Sequence, residues 1–420
     1  MKNIIKLKNG INLVSHKLDN THSVTISVSF RTGSLYENDK NKGITHLVEH
    51  LFFRRWYDLS QDELYFSMMS LGAEITGSTY NDYVSFSITV VPDFFVEAFI
   101  LITKCLNKFH WNDNCIIDEK RIVYKQIENS SQSYRNWLDG KYFSGTAYER
   151  PIMGTVESVQ RLSANEINMW KDKYFCCNNS FIAVTGNYND NDFSMVKRIL
   201  SNIDNSGNIV KPIVCLPINF CSRNKENKYT ILYNESENCD VTVFLDIKNE
   251  YNYETIRLLS SMLGEGCGSI LSSILCEKYG FTDEIYTDLI CFCGFYRLSI
   301  SFDIRNYDFF DCMTHLLKIL LNLKKYINKY NYCTTINFFT RNQLMDYDNN
   351  KALNSRYVLC DFVLSSVLSE PQEIKVKYEK ISVEDLQEYA SEIICNQNIS
   401  FLIETNLNRN TVIKHLEDLS

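Results

Sequence analysis

Two histidines four residues apart, with a glutamate between them, are the residues of this sequence best placed to do chemistry. In His46-Leu47-Val48-Glu49-His50 the imidazoles fall on one face of a helix, one turn apart. Two imidazoles at that spacing can hold one zinc ion. Glu49 reaches the same side as His46 and can take a proton from a metal-activated water. Gly43 precedes the turn, and apolar residues including Leu47, Val48, Leu51, Phe52 and Phe53 run through it. The helix is therefore expected to be buried and the site dry. The plainer alternative is a pair of core histidines hydrogen-bonded to backbone, with Glu49 as their buried partner. Five residues alone do not exclude it.

The elements around the motif can be read from pattern and punctuation. Residues 12–16 and 24–30 read as strands, the second alternating with period two. The motif helix follows a loop over 38–43. A helix is expected over 58–70, with Ser60 as N-cap and Glu63 closing a capping box. Strands over 75–79 and 84–90 join through Asn81-Asp82. Helices are expected over 94–109, 118–128 and 163–174, the last with Ser163 and Glu166 as a second capping box. Residues 181–186 read as a buried strand. The stretch 205–228 carries Pro212 and Pro217, two of the five prolines, and reads as linker. After it the order repeats: strand 241–246, helix 253–263, glycine-rich loop 264–268, helix 269–278, hairpin 286–303, helix 309–326. The expectation is an α+β chain of two homologous domains, each a mixed, largely antiparallel sheet with helices on one face. The first spans 1–208 and the second 229–420, with 209–228 between them.

Composition excludes several classes. A chain of 420 residues is too long for one core. A net charge of -8 with no basic run argues against a nucleic-acid partner. The fifteen cysteines contain no C-x-x-C pair, so neither a zinc ribbon nor a thioredoxin motif is present. They read as free thiols of a reducing, cytoplasmic compartment. The first residues lack the apolar core of a secretory signal. No run of eighteen apolar residues exists, so no membrane span is expected.

Taken together, these residues resemble the pitrilysin and mitochondrial processing peptidase family, the inverzincins, whose inverted motif is H-x-x-E-H. Gly33-Ser34-Leu35-Tyr36-Glu37 and Gly43 are similar to the family's approach to its zinc helix. Residues 71–80, 148–159 and 179–186 resemble its edge strand, mid-domain loop and closing strand, and 263–281 the glycine-rich loop and helix of its paired domain. The resemblance implies half of a clam-like shell that encloses a chamber with a partner. It also implies a peptide substrate docked in extended form on an edge strand, here Thr76, Gly77, Ser78 and Thr79, by main-chain hydrogen bonds.

Two departures qualify what the resemblance implies. The family's third zinc ligand is a glutamate on a later helix. Aligned on the apolar residues of Glu119-Lys120-Arg121-Ile122-Val123-Tyr124-Lys125-Gln126-Ile127-Glu128, that position is Gln126. Glu119 falls on the family's supporting acid, two turns or roughly 10 Å away, and could serve as a substitute ligand. Glu128 is turned about 200° from Gln126, away from the site. A neutral amide would leave more charge on the zinc and bind it more weakly. In the second half, the family's substrate-holding Arg and Tyr align with Cys276 and Asp283. The resemblance therefore implies the zinc-motif subunit of a heterodimer whose homologous partner carries the Arg/Tyr pair. On this reading the chain is a zinc endopeptidase subunit for short or unfolded peptides, leader or precursor segments among them. The alternative is a scaffold or peptide-binding subunit that does not cleave; Gln126 and the missing Arg/Tyr pair favour it, and intact His46, Glu49 and His50 oppose it.

Overall fold

The computed structural model describes residues 2–129, 147–205, 207–213, 228–248, 253–292, 295–363, 371–394 and 398–419. Residues 214–227 of the expected linker lie outside them. The chain divides into two compact units, Met1–Cys215 with Met345–Leu368, and Leu216–Leu344 with Ser369–Ser420.

The first unit is built on β1 (Lys2–Lys6), β2 (Asn12–Lys17), β3 (Val24–Phe30), β4 (Thr76–Thr79), β5 (Val84–Val90) and β6 (Ser180–Gly186). Their spatial order is β1-β2-β6-β3-β5-β4. Only β2 and β6 pair in parallel; the other neighbours are antiparallel. The short strand β4 therefore forms an edge. Valine, isoleucine and phenylalanine of β3 point to one face and meet α1 (Ile44–Arg54) and the helices that follow it in the main core. Phe52 centres that core: its ring lies 5.1–5.7 Å from those of Trp56, Phe86, Phe109, Trp111 and Phe175. Burying such a side chain contributes about 1.5–3 kcal/mol.

Period two in β3 predicts one wet face, yet every residue of the strand is buried. The cover comes from far along the chain. After α2 (Gln61–Ser70), α3 (Asp113–Glu128) and, in the second unit, α4 (Tyr253–Gly264), helix α5 (Asn350–Tyr357) returns to the first sheet. Asn354 Nδ2 donates to the carbonyls of Thr25 (3.2 Å) and Ala183 (3.0 Å). The Tyr357 hydroxyl lies 2.6 Å from His16 Nδ1. Residues 345–368, which sequence order places inside the second domain, thus belong to the first unit. Buried polar groups need partners: Asn354 of α5 serves main-chain carbonyls of β3 and β6, and the Thr25 and Ser29 hydroxyls bond those of Thr89 and Ser85 on β5.

The second unit repeats the plan. Strands β7 (Tyr229–Tyr233), β8 (Asn238–Lys248), β9 (Tyr286–Phe292), β10 (Phe295–Arg305) and β11 (Ile399–Thr405) run in the order β9-β10-β8-β11-β7. Again one pair, β7 with β11, is parallel. Read from its edge, β9-β10-β8-β11-β7 matches β4-β5-β3-β6-β2 strand for strand. The α+β duplication expected from the sequence is thus present, with β1 as an addition to the first sheet.

Several helix limits differ from the sequence reading. Both expected capping boxes, at Ser60 and Ser163, form. The helix expected over 94–109 stops earlier, as Phe95–Thr103 and one tight turn, Lys104–Leu106. Its next residue, Asn107, turns extended, and its carbonyl accepts from the buried Lys171 Nζ at 2.9 Å. Helix α3 begins at Asp113, before the expected residue 118, because the Asn112 side chain accepts from Cys115 N–H at 2.9 Å and caps it. The helix expected over 309–326 is broken into Phe309–Leu320 and Leu323–Tyr326. Among the described residues, no helix is long and apolar enough to cross a membrane.

Candidate active site

Helix α1 has two kinds of face. Leu47, Val48, Leu51 and Phe52 are fully buried against the core. His46, Glu49, His50 and Phe53 lie at i, i+3, i+4 and i+7 and form the other stripe. The start of the helix is held without a capping side chain of its own, since the N-cap is Gly43 in the left-handed region at φ 84°. A Cβ at Gly43 would meet the Met153 carbonyl oxygen at 2.5 Å. The missing cap comes from Glu37. Its buried carboxylate accepts from the N–H of Gly43 at 2.7 Å and of Thr45 at 2.9 Å. That places an anion at a helix N-terminus, where the dipole favours it. Burial nonetheless pushes Glu37 up to about 7, against the pull of those hydrogen bonds.

Among the described residues, His46, Glu49 and His50 form the one group of three or more metal-capable side chains, with a donor atom from each within 4.8 Å of the others. The two imidazole centroids are 4.5 Å apart. Burial, with His50 beside it, pushes His46 down to about 3. His46 is therefore a neutral ring with a lone pair to give. Its Nδ1 is buried and has no hydrogen-bond partner among the described residues. On the other ring, His50 Nδ1 lies 2.8 Å from Glu119 Oε1. A carboxylate there fixes the proton on Nδ1 and frees Nε2 for a metal. Two imidazoles, one of them backed by a carboxylate, fit a zinc ion in donor type. Burial raises the Glu119 pKa, but hydrogen bonds and charges from His50 and Arg54 outweigh it and hold the group below its ordinary value.

Glu49 is only 7% exposed, and burial raises its pKa above the ordinary carboxylate value. A carboxylate with raised affinity for protons is suited to act as a base and then as an acid. It sits directly under the edge strand. Thr79 Oγ1 donates to Glu49 Oε2 at 3.1 Å. A Cβ at Gly77 would fall 2.2 Å from Glu49 Oε1 and 3.0 Å from the Phe53 ring. Glycine at 77 is thus what lets a strand pass over the glutamate. Thr76 and Ser78 point to the opposite face, where the Thr76 hydroxyl bonds that of Ser87 at 2.9 Å. Among the described residues, the outer edge of β4 has no neighbouring strand in the sheet.

The structure brings His46, Glu49, His50, Glu119 and Thr76 to Thr79 into one neighbourhood. Glu119 stands behind His50 rather than beside the converging donors. Gln126 is exposed, two turns along α3 on the face it shares with Glu119. In the second unit, Cys276 is half-buried in the helical turn Ser272–Lys278, and Asp283 is exposed. The motif reading missed the helix clamp of Glu37 and the contacts of Arg54, whose Nε donates to Glu119 Oε2 and whose Nη1 donates to Gln61 Oε1 at 2.9 Å. The only hint in sequence was an acidic residue shortly before Gly43 and an arginine one turn after His50.

Residues 12–156 match the family described as insulinase (peptidase family M16), and residues 161–332 match the peptidase M16 inactive domain. The uncharacterized zinc protease YmxG of Bacillus subtilis is 23% identical, over 67% of this chain and 68% of its own. Subunit 1 of the bovine (Bos taurus) mitochondrial cytochrome b-c1 complex is 22% identical, over 44% of this chain and 39% of its own. Among solved structures, the periplasmic protease PqqL of Escherichia coli superposes with a TM-score of 0.81 at 13% identity, over 100% of this chain and 50% of that one.

Proposed function

This chain belongs to peptidase family M16, and from that membership we propose that it is a zinc-dependent endopeptidase subunit acting on short or unfolded peptides. The observation that carries the proposal is the stacking of edge strand, glutamate and histidine pair: Thr79 on Glu49, and Glu49 within reach of His46 and His50. A peptide added to β4 is read through its backbone, so many sequences are accepted, leader and precursor segments among them. Zinc held by His46 and His50 would polarise the scissile carbonyl and acidify the attacking water. Glu49 takes the proton of that water and delivers it to the leaving amine. Glu119 keeps the His50 ring oriented. Thr79 holds the Glu49 carboxylate against the strand where the scissile bond lies. Gln126, at the position the resemblance gives to the family's third ligand, would add a neutral oxygen in place of a carboxylate.

The chain acts with a homologous partner subunit. Support comes from the second unit, which offers Cys276 and Asp283 where the resemblance calls for Arg and Tyr. Further support is the chain's match to half the length of a longer protease. A second reading, a subunit that binds peptide or supports a partner without cleaving, rests on Gln126 and on the relative found within a respiratory complex. Metal analysis and cleavage of an unstructured peptide decide between them, with the chain alone and mixed with a homologous subunit encoded beside it. Zinc in the chain and cleavage only in the mixture are expected. No zinc in either preparation would leave the non-cleaving reading.

A further inference from the structure

We propose that Arg54 is a positioning residue for the metal site, acting on His50 through Glu119. The proposal rests on the peptidase reading for its purpose but on hydrogen-bond geometry for its content. Arg54 follows His50 by one helical turn, on the same face of α1. Glu119 reaches across from α3 and is 4% exposed. Among the described residues each of its oxygens has one partner: Oε1 faces His50 Nδ1 at 2.8 Å, and Oε2 accepts from Arg54 Nε. With both oxygens engaged, the carboxylate plane is fixed. With one released, it could rotate about its last torsion, which is soft.

Arg54 is held in turn. Its Nη1 donates to Oε1 of Gln61 at 2.9 Å, and Gln61 is the first residue of α2. The guanidinium therefore joins three helices, α1, α2 and α3, around one carboxylate. Lysine, with a single point of attachment, cannot make both contacts in one geometry. Removing the guanidinium leaves a buried carboxylate oxygen without its charged donor, an unfavourable state that drives the group to turn. That turn loosens the bond to His50 Nδ1 and allows the proton to move to Nε2, the nitrogen a metal requires bare. Ion pairs at exposed surfaces contribute little; this one differs because the carboxylate it orients is enclosed.

The test uses the full chain with 15N-labelled histidine, stripped of metal, as wild type, R54Q and R54K. In the wild type, His50 is expected as the Nδ1–H tautomer. R54Q should show a mixture of tautomers at His50 and no change at His16. Zinc affinity, measured by competition with a chromophoric chelator, should fall about 10–100-fold in R54Q, the range for losing a residue that orients a ligand. R54K should recover part of both. Its retained charge keeps the test sound should R54Q fold poorly. An unchanged His50 tautomer in both variants overturns the proposal, as does full zinc affinity in R54Q. A wild-type chain that binds no zinc would defeat the peptidase reading instead, while the tautomer comparison still decides whether Arg54 governs His50.

Discussion

Two corresponding edge strands, β4 and β9, cross their underlying helices by opposite solutions. In the first unit the glycine is on the strand: Gly77 of β4 passes over Glu49 of α1. In the second it is on the helix: a Cβ on Gly264, the last residue of α4, would fall 2.3 Å from the Thr287 methyl of β9. What lies beneath differs accordingly. Under β4 stand a carboxylate and two imidazoles. Under β9, Thr287 Oγ1 meets the carbonyl of Ser260 at 3.3 Å, and the Ser260 and Ser261 hydroxyls are buried with no partner of their own among the described residues. The second unit does hold buried charge, but as a closed pair. Arg297 is bidentate to Asp246 at 2.8 and 3.1 Å across adjacent strands. Of two copies of one fold, the first thus gathers metal-capable donors beneath its edge strand, and the second ties its buried charge into an ion pair.

The sharpest way to break that contrast is Glu49→Gln. Cleavage should fall about 10²–10⁴-fold, the worth of a general acid–base group, while zinc content stays level; unaltered cleavage would place the chemistry elsewhere. Asp246→Asn in the second unit should cost about 3–5 kcal/mol in denaturant unfolding, because the buried guanidinium loses its carboxylate, yet leave zinc affinity unchanged. Equal glycine substitutions then separate the two crossings. Gly77→Ala presses on the Glu49 carboxyl and the edge of the Phe53 ring, ends of side chains rather than backbone, so stability should hold while cleavage drops about 10²-fold, as for a 1 Å misplacement. Gly264→Ala meets a branched side chain, so it should cost about 1–3 kcal/mol and leave cleavage intact. A reversed pattern would refute the comparison. The smallest effect concerns Glu37. Its ordinary value is 4.5, and burial holds it near 7 in the folded chain. Between those values the unfolded chain has released a proton that the folded chain keeps. Stability should therefore fall as pH rises through that window and level off above it. A Glu37→Gln melting series should flatten that slope; one that retains it would assign the slope to another group.

Much of the site was legible because its logic is local. His46, Glu49 and His50 share one helical face through spacing alone, and the capping boxes at Ser60 and Ser163 formed where their residues stand. The position of Gly77 beside Glu49 was not legible, since it depends on a crossing between segments 28 residues apart in sequence. Helix limits failed where a distant side chain intervened, as Lys171 does at the Asn107 carbonyl. The domain limit failed at 345–368 for a similar reason. Nothing near Asn350 or Asn354 announces that their amides belong to the carbonyls and hydroxyls of strands more than 160 residues earlier.

By itself the sequence determined the motif helix, the repeated order of elements and the chemistry available to three side chains, because each follows from periods of 2 and 3.6 residues and from residue type. Only the tertiary structure decided which ring Glu119 meets, which arginine holds that carboxylate, and which glycine admits a strand over Glu49. Those are meetings between separate elements, set by packing in three dimensions rather than by any spacing along the chain.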